Sequence, residues 1–406
     1  MAGGELVVGA LGALIAIGIL GSLFFRRTGV NDVMLLILLG IAIGPIAGVV
    51  DAKSIEPLVP SIGSIALLMV VFSEGLNLSF ENLRDNAFDV LLLGAMCFAL
   101  AFGASFGILH LAFGWGILDA LLMAAILCAS APEIIAIVVE EMKMSGKLRQ
   151  IAKLEAVLAD SAAVIVAFSL LGLVGAQEMD IEPQQIAYGA AIVALLSVAL
   201  GAVCALVWHF LISAAYKKYA HLGALAIACF LFAASGAWGA NGVLAVFSFG
   251  FFIGNRKGEE SLRLFQDEFS FLIRTFFFVY LGMLFAPEQF ANTSVLLIGL
   301  SLSLAIAIAR KIAVGAFSFF QRAAREDRVL SSLVQRGLSV AVLASIAAGA
   351  YAHSPEAQVP PFAPIALVVV FATNLFSTVG VFRHERAAEK REDGEGGLEG
   401  GRKKEK

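Results

Sequence analysis

Long apolar stretches, spaced along almost the whole chain and separated by short polar links, constrain this sequence more than any other feature. A membrane-crossing helix needs about 20 mostly apolar residues. Thirteen segments meet or approach that requirement: 6–25, 33–49, 61–78, 87–113, 116–139, 151–176, 186–214, 220–238, 241–254, 269–285, 294–320, 328–351 and 362–383. Only Gly239 and Ala240 separate 220–238 from the short, glycine-rich 241–254. Charged residues make up 15% of the 406 positions, against roughly 25% in a soluble domain, so lipid is the main solvent. The reading is an all-α polytopic membrane protein of about 13 transmembrane helices. Arg26 and Arg27 follow the first apolar run instead of preceding it, so 6–25 reads as a retained helix and not a cleaved signal.

The positive charges test the span count. Alternate loops hold Arg26, Arg27, Arg84, Lys143, Lys147, Arg149, Lys153, Lys217, Lys218, Arg256, Lys257, Arg263, Arg322, Arg325 and Arg328, whereas the opposite set holds only Lys53. A missed helix would mix the two sets downstream of the error. By the positive-inside rule the basic set is cytoplasmic, which puts the N-terminus outside and the C-terminus in the cytoplasm. Residues 1–383 form the membrane domain. Residues 384–406 are charged and glycine-rich, and read as a disordered cytoplasmic tail. A net charge of −4 gives no reason to expect a nucleic-acid partner. The four cysteines (Cys97, Cys128, Cys204, Cys229) lie in apolar stretches and read as packing residues, as do His110 and His209. No nucleophile–base set, metal-ligand cluster or phosphate loop is present in the sequence, so neither an enzyme nor a cofactor is expected.

Charge at membrane depth is expensive, so each such residue needs a reason. The acids are Glu74, Glu133, Glu155 and Asp160; the bases are Arg274, Arg310, Lys311 and Arg336. Asp160, in LEAVLADSAAVIVAF, falls near mid-membrane. A carboxylate there can hold a monovalent cation or a proton but not both well, which is the simplest chemical basis for cation–proton exchange. Glu155 is about 140° around the helix from Asp160 and points elsewhere. Arg336, in VQRGLSVAVLA, is its expected ion-pair partner. Arg310 and Lys311 are adjacent and must point different ways. Glu74 either lines a cytoplasmic funnel or is an interfacial charge. In CASAPE, Pro132 removes one backbone donor. That frees carbonyls beside Ser130 and Ala131, as cavity lining or as an ordinary kink; Glu133 faces that cavity or packs away from it.

At these residues the chain resembles the monovalent cation/proton antiporters of the NhaP type. The resemblance is carried by GIAIGP, FSEGLNLSFENLR, KLRQIAKLEAVLADSAAVIVAF, NGVLAVFSFGFFIGN, FSFLIRTFFFVYLG and VQRGLSVAVLA. It implies inverted six-helix repeats, a core (transport) domain beside a dimerisation domain, a homodimer in the cell membrane, and elevator-like movement of the core. It implies exchange of Na⁺ (or K⁺ or Li⁺) for H⁺ in pH homeostasis. It assigns Asp160 to ion and proton binding with Ser130, Glu74 and Glu133 nearby. It also assigns Glu155 and Arg336 to a core ion pair, and Ala131 and Pro132 to an unwound helix. This chain departs from the family pattern at three positions. Ala131 stands where the family usually has Asp, Ala159 where it has Asn or Asp, and Ala156 where it has Ser. With one carboxylate in place of two adjacent ones, a one-for-one, electrically neutral exchange is expected. A K⁺/H⁺ antiporter, a K⁺ efflux protein and a cation channel are the alternatives.

Overall fold

The computed structural model describes residues 9, 12–13, 15–21, 32–48, 55, 58–142, 144–174, 183–214, 219–256, 260–284, 292–321, 327–352 and 360–402. Of the basic residues that fixed the expected orientation, Arg26, Arg27, Lys143, Lys217, Lys218, Lys257, Arg322 and Arg325 lie outside them, as does Lys53. Fourteen α-helices are present among the described residues: α1 (Asp32–Ile41), α2 (Val59–Asn77), α3 (Phe80–Gly107), α4 (Ile117–Cys128), α5 (Pro132–Glu141), α6 (Gly146–Val174), α7 (Pro183–Ala214), α8 (Ala220–Ala234), α9 (Gly242–Gly254), α10 (Glu260–Met283), α11 (Thr293–Gln321), α12 (Asp327–Ser332), α13 (Leu338–Ala352) and α14 (Phe362–Arg402). Among the described residues, seven helices are long and apolar enough to cross a membrane, and four shorter apolar helices accompany them. Of the expected first span, 6–25, residues 9, 12–13 and 15–21 are described, and all are helical.

Among the described residues, each of the other expected segments falls on helix, with two instructive differences. The spans expected at 116–139 and 328–351 are each broken in two, as α4/α5 and α12/α13. Both breaks have a local cause. Pro132 opens α5 at its first turn, where a missing N–H costs nothing, and Ala129 and Ala131 leave the helical region ahead of it. Gly337 precedes α13, and a Cβ there would lie 2.8 Å from the Cβ of Ala131. The two breaks therefore touch, and glycine is what lets them. The separation of 220–238 from 241–254 is also explained. Gly239 takes a left-handed φ of 69°, and the Asn241 side chain then caps α9 by accepting from the N–H groups of Val243 and Leu244 at 2.9 and 3.1 Å. Helix α14 extends past its apolar part to Arg402. The run Arg386–Glu392 consists of strong helix formers, which extends the helix beyond its apolar part.

The helices pack as two groups. One contains α3–α6 and α11–α14; the other contains α1, α2 and α7–α10. Helix α13 against α2 is the main contact between the groups, and α6 touches α7 and α9 only thinly. Inside the second group, small residues let backbones meet. A Cβ at Gly254 would sit 2.3 Å from the Leu76 carbonyl oxygen, and one at Gly75 would sit 2.3 Å from that of Phe247. This is how membrane helices pack when lipid offers no hydrophobic drive between them. Large apolar side chains such as Leu195, Leu206, Phe230, Leu304 and Phe319 remain outward, as lipid contact requires.

Candidate functional site

The site lies where the two broken helices meet the middle of α6. Asp160 is completely buried on α6. The hydroxyl of Ser339, in the first turn of α13, donates to its Oδ2 at 2.7 Å. The backbone of Ser130, inside the first break, also acts on this carboxylate. Among the described residues, Oδ1 of Asp160 has no hydrogen-bond partner. Helices α5 and α13 both begin at the crossing, so their positive dipole ends converge there, and α4 and α12 end there with their negative ends.

Glu74 reaches the site from α2, in the other helix group. It is 6% exposed, and among the described residues neither carboxylate oxygen has a hydrogen-bond partner. Asp160, Glu74 and Glu133 lie within electrostatic reach of one another. Three ionised carboxylates in one buried place repel, so the site favours positive charge, whether a proton or a metal cation. Glu133 sits in the first turn of α5, its Oε1 3.1 Å from where a Cβ of Gly337 would be. It therefore faces the crossing and does not pack away from it. The three alanines change the lining. Ala131 and Ala156 are fully buried, and Ala159 lines a small cavity beside the site.

The expected pairing of Glu155 with Arg336 is corrected by the structure. Glu155 pairs with Arg310, whose Nη1 and Nη2 donate to the two carboxylate oxygens at 2.6 and 3.0 Å. Arg310 also donates through Nε to the Leu330 carbonyl at 3.2 Å and through Nη1 to Cys97 Sγ at 3.3 Å. The physical reason is presentation. Arg310 projects from a continuous helix and meets the carboxylate as a two-pronged fork, the strongest geometry available to such a pair. Arg336 belongs to the non-helical stretch 333–337, whose backbone is held by Asn374 donating to the Arg336 carbonyl at 2.8 Å. Its side chain faces Glu155 and Arg310 across a shared cavity of about 20 Å³, room for one water. Lys311 is exposed, as its adjacency to Arg310 required.

The remaining charges at depth have structural partners. The Arg274 guanidinium stacks 5.7 Å from the Phe271 ring centroid. Tyr351 donates to Asp119, and Lys147 meets Asp89 at 2.7 Å. His110 bonds the Trp115 carbonyl through Nδ1 at 2.8 Å and stacks on Phe106, as a packing residue would. His209 instead is exposed and contacts Arg256. The sequence reading missed two features, Ser339 and the second break. Gly337, next to a charged residue within an apolar run, was the available signal for both.

Known proteins match this architecture. The family described as "Sodium/hydrogen exchanger, transmembrane" matches residues 12–383. A curated protein of Methanocaldococcus jannaschii, "Probable Na(+)/H(+) antiporter 2", is 25% identical over 299 residues, covering 68% of this chain and 69% of the relative. Two solved structures of the sodium proton antiporter MjNhaP1 from the same organism superpose on the chain. One, at pH 8, has a TM-score of 0.78 at 19% identity over 93% of this chain and 95% of that one. The other has a TM-score of 0.74 at 20% identity over 95% and 96%.

Proposed function

The chain belongs to the transmembrane sodium/hydrogen exchanger family, and from that premise we propose that it exchanges one monovalent cation, Na⁺ first among them, for one proton at Asp160. The observation that carries this reading is the setting of Asp160: fully buried, between two helix breaks, with Oδ1 unpartnered among the described residues. Deprotonated, it offers a charged oxygen to a cation. Protonated, it is neutral and releases it. Oxygens from Ser130 and Glu74 complete the first ligands, and Glu133 adds negative charge where the family usually has an Asp at position 131. One charge binds at a time, so each half-cycle carries a single positive charge and the exchange is electrically neutral.

Access alternates when the group of α3–α6 and α11–α14 moves against the group containing α2, which carries Glu74. The thin contacts between the groups support this division into a transport part and a scaffold part. A homodimer formed through the scaffold, a multi-pass position in the cell membrane, an outside N-terminus and a cytoplasmic C-terminus complete the proposal. The orientation is supported by the one-sided distribution of basic residues.

Purified protein in proteoliposomes, assayed for proton efflux against Na⁺, Li⁺ and K⁺ across pH, tests the reading. Parent protein exchanges Na⁺ for H⁺, and Asp160→Asn does not. Exchange by Asp160→Asn at the parental rate would remove Asp160 from the mechanism. Exchange with K⁺ alone would keep the mechanism and change the ion. Currents far above carrier turnover and independent of the proton gradient would point to a channel.

A further inference from the structure

We propose that Ser339 is a ligand of the transported cation, supplying from α13 the hydroxyl that Ala156 lacks on α6; this rests on Asp160 being the exchange site. Ala156 is four residues before Asp160, on the same face of α6, and fully buried. Its methyl group offers no oxygen to a cation, and neither do Ala131 and Ala159. Asp160 still has a hydroxyl neighbour, from the opposite side of the site. Ser339 is 2% exposed and 2.7 Å from Oδ2.

A serine hydroxyl has one hydrogen and two lone pairs. With the hydrogen committed to Oδ2, the lone pairs point away from the carboxylate. A hard monovalent cation that binds Oδ1, the unpartnered oxygen, thus meets a second oxygen whose dipole is already aligned by the same carboxylate. Position matters as much as chemistry. Ser339 lies in the first turn after the break at 333–337, and Gly337 packs against Ala131 of the other break. The hydroxyl is therefore fixed relative to Ser130 and Asp160. All three residues belong to one helix group, so they would travel together and the coordination would survive the movement.

The test uses the full chain in proteoliposomes, with apparent KM for Na⁺ and Li⁺ measured beside the maximal rate. A second readout is the rise in melting temperature that Na⁺ gives the detergent-solubilised protein, since a ligand stabilises the state it binds. Ser339→Ala is expected to raise both KM values about tenfold, with a smaller change in maximal rate, and to lose the Na⁺-induced rise in melting temperature. Ser339→Thr, which retains the oxygen, is expected to restore both. A merely structural serine would move the melting temperature without Na⁺ and leave KM alone. Parental KM and parental Na⁺ stabilisation in Ser339→Ala would overturn the proposal. If that variant does not fold, Ser339→Cys takes its place, with the same two outcomes read the same way. Asp160→Asn run alongside separates the two failures. Full activity there sinks the exchange site itself, whereas an inactive Asp160→Asn beside a parental Ser339→Ala confines the error to Ser339.

Discussion

Single residues divide the buried charges into those held and those left open. Glu155 and Arg310 are held: two parallel hydrogen bonds, further donors to a carbonyl and a thiol, almost no exposure. Asp160 Oδ1 and both oxygens of Glu74 are left open among the described residues. That contrast separates structural pairing from the proposed ion chemistry more sharply than depth in the membrane does. It also yields a prediction. Removing one partner of a buried pair strands the other, at a cost of about 3–5 kcal/mol. Arg310→Ala should therefore lower the melting temperature of the purified protein well below that of Arg336→Ala, with ion preference unchanged in both. Equal melting temperatures for the two variants would contradict the pairing seen here. The choice of Arg336 from sequence was reasonable and wrong for a definite reason. Helical periodicity says that Glu155 and Asp160 face apart, and the structure agrees. It does not say which neighbouring helix Glu155 faces, and two arginines were in reach of the same cavity.

At the scale of elements, the two broken helices are the central device. Their contact is tight: a Cβ on Gly337 would be 2.8 Å from the Ala131 Cβ and 3.3 Å from its Cα. Gly337→Ala is therefore expected to reduce exchange by about tenfold or more, or to destabilise by about 1–3 kcal/mol as overpacking does. Ala131→Gly in the same chain removes the nearest clash and should recover part of the loss. No recovery, measured by exchange rate and melting temperature together, would mean that the breaks do not press on each other as described. The first break was legible because Pro132 announces itself: it lacks a backbone donor and favours the start of a helix. The second was not. A single glycine inside an apolar run also fits an unbroken span, and only the approach of another chain segment makes it necessary. Helix existence, by contrast, was legible almost throughout, because lipid leaves a backbone few other ways to satisfy its polar groups.

For the whole molecule, the neutral one-for-one exchange is the claim most exposed to experiment. Two adjacent carboxylates on α6 could carry two protons, but with Ala159 beside Asp160 there is one. Initial exchange rates in proteoliposomes should not change when a potassium–valinomycin potential of either sign is imposed. A rate that scales with the potential would require a second titrating group in the cycle, with Glu74 and Glu133 the groups to substitute next. Little of this is readable from composition or spacing. The spans and the sidedness of charge gave the architecture, but which carboxylates gather at Asp160 depends on how distant helices are brought together.

The glycine contacts between α2 and α9 bear on mechanics. Where two backbones touch, there are no rotamers to switch and no side chains to flow past one another, so the pair has one spacing and resists shear. The α2–α13 boundary is different in kind: a Cβ at Gly63 would meet a side-chain atom, Val342 Cγ1, at 3.3 Å, and not backbone. In engineering language, α2 and α9 are bolted backbone to backbone, whereas α2 meets α13 through side chains. Glu74 is carried by α2 and Asp160 by the other helix group, so in the exchange cycle proposed above the distance between these two carboxylates is the coordinate along which the machine would be clocked.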